Sequence, residues 1–214
     1  MNALYNINFA WRNRLYTLMG DSPYVIKVSP RGKPIREQLH QRLVVDMRCS
    51  LLDDPLRKIS RRFAAAEALW IMDGKDDLAS LLPYSKRMAD FSDDGEKLTG
   101  AYGPRLAPQL GYVLAKLLED ADTRQAVASI WTPNPEPSKD IPCTLSLAFQ
   151  VRQSEMHCHV FMRSSDVWLG VPYDVFSFSC ITAALTMRYN EVLRHRHGEA
   201  INTVDLGRLW LTAA

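Results

Sequence analysis

No stretch of the chain is apolar for the about 18 positions that a membrane span requires. The first twenty residues, MNALYNINFAWRNRLYTLMG, mix Asn and Arg into their apolar positions and form no signal-peptide core. These absences predict a soluble, cytoplasmic protein with no membrane partner. Charge of one sign is also lacking, since 26 Lys and Arg against 24 Asp and Glu leave a net +2. That excludes a polybasic arm or an acidic solvating tail as the main business of the chain, and no nucleic-acid partner is expected. Cysteine is scarce: Cys49, Cys143, Cys158 and Cys180 show neither CxxC spacing nor the density of a disulfide framework, which points to a reducing compartment. Repeats and low-complexity tracts are absent. What remains is ordinary globular composition, and 214 residues predict a single domain over 1–214. A chain of this size buries roughly 70% of its unfolded surface without staples.

The clearest break is Thr132-Pro133-Asn134-Pro135-Glu136-Pro137-Ser138-Lys139, where three prolines forbid helix and central strand alike. Before it the patterns are mostly helical. Ser60 to Met72 reads as a helix burying Phe63, Ala66, Leu69 and Trp70, with Gly74 as its stop, and Pro108 to Leu118 reads as another around Leu110, Val113, Leu114 and Leu117. Tyr24 to Ser29 and Gln41 to Met47 read as strands flanking the loop Pro30-Arg31-Gly32-Lys33-Pro34. After the break, Thr144 to Arg152 alternates with Leu145, Leu147, Phe149 and Val151 on one face, turns at Gln153-Ser154-Glu155, and alternates again to Arg163. A long apolar helix follows from Asp174 or Val175 to Leu193. Elements in this order predict an α+β fold built on a sheet.

Three segments carry candidate chemistry. In Asp140-Ile141-Pro142-Cys143-Thr144 a cysteine follows a proline at a strand start. It fits an inert small core residue, and it fits a nucleophile whose thiol pKa is lowered by nearby cations, the thiolate being the reactive form. Cys158 and Cys180, inside a strand and a helix, read as packing residues. In Met162-Arg163-Ser164-Ser165-Asp166-Val167-Trp168-Leu169-Gly170-Val171-Pro172-Tyr173-Asp174, adjacent Arg and Ser at a strand end suit a phosphate, while the same run fits a surface turn with a salt bridge. Glu67 shares a helix face with Phe63 and Trp70. Burying an unpaired carboxylate is costly, so its pKa should rise or it should find a partner, in a structural network or as a general acid/base.

Together these segments resemble the thymidylate synthase family. The long Arg163–Asp174 run about twenty residues after Pro142-Cys143 carries the resemblance. Arg62–Trp70 with Gly74, Gly100-Ala101-Tyr102-Gly103, and Asp122-Thr123-Arg124-Gln125 with Trp131 match further family segments in order, over roughly residues 30 to 205. The resemblance implies a sheet with packed helices that dimerises through the sheet. It implies a cysteine thiolate that adds to carbon 6 of a pyrimidine nucleotide, and a one-carbon unit passed to carbon 5 from methylenetetrahydrofolate as co-substrate, with no metal. By position Cys143 would be the nucleophile and Glu67 would transfer protons. Arg163 and Ser164 would bind the phosphate of a pyrimidine nucleoside monophosphate, joined by Arg31 (Arg36 the alternative) and by Arg124 acting in trans across a homodimer. Asp166 and Gly170 would meet the folate, and Asp174 would read the base edge.

Departures from the family pattern refine the expectation. Methylating synthases carry Asn where Asp174 stands, and a carboxyl suits the exocyclic amine of cytosine, as in the dCMP hydroxymethylase branch. Thr144, Met162 and Gln125 replace a histidine, a glutamine and a second trans arginine. Ser85 to Asp90 holds no aromatic residue where a tryptophan pair walls the folate pocket, which admits water to the intermediate and favours hydroxymethyl transfer. The chain ends at Ala214, before a His-x-Tyr segment that in the family bonds the sugar, so either the chain is shortened or its sugar contacts come from elsewhere. The leading expectation is therefore dCMP to 5-hydroxymethyl-dCMP. Conversion of dUMP to its hydroxymethyl or methyl product, a CMP substrate, and a nucleotide-binding subunit with little turnover stand as alternatives.

Overall fold

A computed structural model of the chain describes residues 5–214 and contains one five-stranded sheet in the order β3-β7-β6-β5-β4. Its strands are β3 (Gln41–Asp46), β4 (Val127–Ser129), β5 (Thr144–Arg152), β6 (Glu155–Met162) and β7 (Asp205–Ala213). All neighbours are antiparallel except β6 and β7. A parallel pair needs a crossover, and the 27-residue α4 (Val171–His197) supplies it. Two short strands, β1 (Ile26–Val28) and β2 (Ile35–Glu37), form a separate antiparallel ribbon. The helices α1 (Ile7–Met19), α2 (Arg61–Met72) and α3 (Gly103–Glu119) complete the set. The α+β expectation is met.

The core lies between one face of the sheet and the helices. Leu147, Phe149 and Val151 of β5, Met156, Cys158 and Val160 of β6, and Leu209 and Leu211 of β7 meet Val175, Phe178, Ile181 and Leu185 of α4. The helix reads as weakly amphipathic because hydroxyls share this buried face. Ser179, Thr182 and Thr186 each donate at 2.7 Å to the carbonyl one turn back, so no water is needed to satisfy them. The other sheet face carries a different surface, with His159 stacked on Trp210 at 4.7 Å and Phe161 43% exposed.

Helix α2 begins where Ser60 accepts from the Phe63 amide and stops at Gly74, whose φ of +70° suits glycine. Its buried residues are Phe63, Ala64, Ala68, Trp70 and Ile71, which corrects the expected face: Leu69 is 59% exposed and Ala66 is half-buried. At 100° per residue, Phe63, Glu67 and Trp70 with Ile71 form one stripe, and Leu69 falls outside it. Phe63 packs edge-on against Tyr173 at 5.0 Å, so α2 is pressed onto the start of α4.

Other boundaries also moved. Helix α3 starts five residues before Pro108, with Pro104 in its first turn. The Pro30–Pro34 loop closes the β1–β2 ribbon rather than joining β1 to β3. Helix α1 and strands β2, β4 and β7 lie outside the elements the sequence predicts. α1 buries only Ile7 and Trp11 completely, too few to announce a periodicity, and β7 is bulged against β6 between Met156 and Cys158. Among the described residues, no helix is long and apolar enough to cross a membrane.

Candidate active site

The register of the β5–β6 hairpin builds the centre of the site. Thr144 pairs with Met162, so the residues just outside the pair, Cys143 and Arg163, become neighbours although twenty positions separate them. The Arg163 amide donates to the Cys143 carbonyl at 2.9 Å. Its guanidinium donates from Nε to the Pro142 carbonyl (2.9 Å) and from Nη2 to the Ile141 carbonyl (3.0 Å), and it lies 6.0 Å from the Trp131 ring. The strand end carrying the thiol is thus held by the arginine, and among the described residues Nη1 makes no hydrogen bond.

Around the thiol is a cavity of about 160 Å³, lined among others by Glu67, Tyr102, Asp140, Cys143, Asp174 and Ser177. Three elements converge here. α2 delivers Glu67, the first turn of α4 delivers Asp174, and the segment before β5 delivers Asp140 and Cys143. Burial pushes the Glu67 carboxyl up to about 8, with a further push from Asp174. Asp174 rises to about 7, again mainly by burial, with Asp166 adding to it. At neutral pH Glu67 is largely a proton donor and Asp174 is near its midpoint.

The expectation of a lowered thiol pKa is overturned for the unliganded site. Burial raises the Cys143 thiol above its ordinary value and outweighs the Arg163 and Arg31 charges, which act to lower it; Asp174 and Asp140 push it up further. Cys158 is fully buried and its thiol is pushed up to about 12, as suits a packing residue, while Cys180 is half-buried.

A wider cleft of about 460 Å³ adjoins Arg163 and is lined also by Arg14, Arg36, Ser164, Ser165 and Asp166. Arg36 Nε and Ser165 Oγ are buried there without a hydrogen-bond partner. Asp166 organises the turn into α4: its carboxylate accepts from the Trp168 and Leu169 amides at 2.8 Å each, and its carbonyl accepts from the Gly170 amide at 3.0 Å. Trp11 braces the same turn by donating to the Val167 carbonyl at 2.6 Å. Gly170 lines neither cavity; it gives Asp174 room, since a Cβ there would stand 3.0 Å from Asp174 Oδ2. Arg31, at φ +51°, lines neither cavity, and Arg124 is exposed beside β4.

The structure therefore gathers Cys143, Glu67 and Asp174 into one cavity and Arg163, Ser164 and Asp166 into the adjoining cleft, and leaves Arg31, Arg124 and Gly170 outside both. Sequence reasoning missed Asp140 and Ser177, and gave Tyr102 no role although the Gly100-Ala101-Tyr102-Gly103 segment was visible. Tyr102 stacks on Phe178 at 5.9 Å, and burial raises its hydroxyl pKa well above the usual value. The wall is also less open than the 85–90 stretch suggests. That stretch contributes Met88, but Trp70 enters the lining from α2.

Comparisons with known proteins point one way. The family profile described as thymidylate synthase matches residues 35–204. A deoxyuridylate hydroxymethyltransferase of Bacillus phage SP01 is 33% identical over 208 residues, 80% of this chain and 54% of that protein. A deoxyuridylate hydroxymethyltransferase of Pseudomonas phage M6 is 34% identical over 117 residues, 50% of this chain and 33% of that protein. The chain thus spans about half the length of the first relative and a third of the second.

Proposed function

Because this chain belongs to the thymidylate synthase family, we propose that it transfers a hydroxymethyl group from methylenetetrahydrofolate to carbon 5 of a pyrimidine nucleoside monophosphate. The observation that carries the reading is a thiol, a proton-donating carboxyl and a neutral-capable carboxyl converging on one cavity beside an arginine-lined cleft. Cys143 adds to carbon 6 of the base, and deprotonation of its raised thiol accompanies the attack. Glu67, protonated near neutrality, supplies a proton toward the base edge as charge develops there. Arg163 and Ser164 receive the 5′-phosphate, joined by Arg31 or by Arg36; the buried, unpartnered Nε in the same cleft supports Arg36, and the Arg31 charge acting on the Cys143 thiol supports Arg31. Asp166 and Gly170 shape the turn against which the folate rests. Hydroxymethyl rather than methyl transfer rests on the two hydroxymethyltransferase relatives more than on an open wall, since Trp70 lines the cavity.

For the base, Asp174 favours cytosine. A neutral carboxyl accepts from the exocyclic amine through its carbonyl oxygen and donates its O–H to ring N3, satisfying both partners. Uracil is the second reading, favoured by the names of the relatives. A neutral acid, unlike an amide, can carry its proton on either oxygen and so also fits the reversed pattern of uracil. We further propose a homodimer through the sheet face bearing His159, Trp210 and Phe161, with the exposed Arg124 of each subunit reaching the phosphate of the other. The test is incubation with methylenetetrahydrofolate and dCMP, CMP or dUMP in turn, with products weighed by mass spectrometry. A hydroxymethyl product on a cytosine nucleotide is expected. A methyl product on dUMP refutes both the reaction and the base assignment, and nucleotide binding without any product favours a non-catalytic subunit.

A further inference from the structure

One carboxyl in the cavity has no place in that scheme. Asp140 lines it together with Cys143 and Glu67, three residues upstream of the thiol and separated from it by Pro142. Its position is fixed from several sides. Oδ2 accepts from the Gly100 amide at 2.7 Å, its own amide donates to Ser138 Oγ at 2.9 Å, and a Cβ at residue 100 would stand 2.5 Å from its carbonyl oxygen. The two chain segments are therefore in contact with no slack. Among the described residues Oδ1 accepts no hydrogen bond, and the Asp140 charge acts on the Cys143 thiol.

Hydroxymethyl transfer, on which this inference rests, has a step that the other groups do not serve. Once tetrahydrofolate has left, carbon 5 bears an exocyclic methylene, and a water molecule must attack it. In that scheme Glu67 exchanges its proton with the base edge and Asp174 hydrogen-bonds that edge, so both are already occupied. We propose that Asp140 is the general base for this water. The water oxygen bonds to the methylene carbon, the methylene π pair moves into the ring, and the water proton passes to Asp140 Oδ1. The ring pair then restores the double bond between carbons 5 and 6 as the bond from carbon 6 to sulfur breaks and expels the Cys143 thiolate. Burial raises the Asp140 carboxyl above its ordinary range, toward the working pH, which improves a carboxylate as a base.

The test uses Asp140→Asn, whose side-chain oxygen can still accept from the Gly100 amide while the group can no longer take a proton. Full-length wild type and variant are incubated with methylenetetrahydrofolate and nucleotide tritiated at carbon 5, with and without 2-mercaptoethanol. Tritium release reports the steps up to formation of the methylene. Mercaptoethanol captures that methylene as a thioether and, arriving partly as thiolate, needs no base. With mercaptoethanol present to turn the enzyme over, Asp140→Asn should release tritium within a few-fold of wild type and should lower the ratio of hydroxymethyl to thioether product by about 100-fold, the scale of one general base; without it, tritium release should fall together with the hydroxymethyl product once each active site has formed its methylene. A parallel fall of tritium release and both products, with the ratio unchanged, would mean that Asp140 only holds Gly100 and overturns the assignment. So would an unaltered ratio at full activity. A wild type that releases no tritium and forms no product would instead sink the underlying reaction, and this inference with it.

Discussion

Replacing Glu67 by Gln should make the protein more stable, and by an amount that grows with pH. In an unfolded chain this carboxyl ionises near 4.5, whereas the folded cavity holds it protonated up to about 8. Between these values the folded state binds a proton that the unfolded state has released, so the stability of the wild type declines as pH rises through the window. Each pH unit corresponds to about 1.4 kcal/mol. Relative to a side chain of the same shape that cannot ionise, the wild type gives up roughly 3 kcal/mol at pH 7 but under about 1 kcal/mol at pH 5. The pH 7 figure is a ceiling, because part of the push comes from Asp174, itself only half ionised at that pH. Urea unfolding of wild type and Glu67→Gln at pH 5, 6 and 7 would measure the gap as a shift in midpoint at constant slope. Catalysis should fall in the variant as stability rises, the signature of a carboxyl kept in the fold for chemistry. A gap that is the same at every pH, or a variant less stable than the wild type, would refute a buried, neutral Glu67.

Three further outcomes are expected. Asp174→Asn should move kcat/KM from cytosine toward uracil nucleotides by at least about 10-fold, because a fixed amide leaves cytosine mismatched. It should also flatten the pH dependence of nucleotide affinity, which in the wild type weakens above about 7 as Asp174 loses its proton; equal preference before and after the change would count against Asp174 as the reader of the base. Alkylation of Cys143 by iodoacetamide, followed by peptide mapping, should show a rate midpoint above that of an ordinary cysteine, and a midpoint below it would show that the arginines prevail over burial. Gly100→Ala should cost about 1–3 kcal/mol in thermal or urea unfolding, since its Cβ would meet the Asp140 carbonyl oxygen at 2.5 Å and two backbones would have to part.

Much of the site was legible in the chain because its parts lie in short runs whose local order carries their meaning. Pro142-Cys143 at the head of an alternating strand, and Arg163-Ser164 at the end of the next, already imply a hairpin with thiol and guanidinium side by side. Glu67 among alanines and apolar residues announces a buried carboxyl, and burial is what moves its pKa. The strands of the hairpin, the long helix after it and the proline break were readable for the same reason, since period and punctuation are properties of neighbours in sequence.

Tertiary structure decided what depends on distance between segments remote in the chain. Whether cations or burial set the Cys143 thiol is a competition among Arg163, Arg31, Asp174, Asp140 and the packing around them, and no spacing reveals its outcome. The sequence placed Trp70 on a buried face, but only the docking of α2 against α4 made that face a cavity wall and left Leu69 in solvent. The parallel placement of β7 beside β6 and the use of Asp140 against Gly100 likewise follow from a crossover and a close contact between distant stretches. Local order along the chain sets which chemical groups are present and which elements carry them. The fold alone determined their solvation and their separation, and through those two quantities their proton affinities.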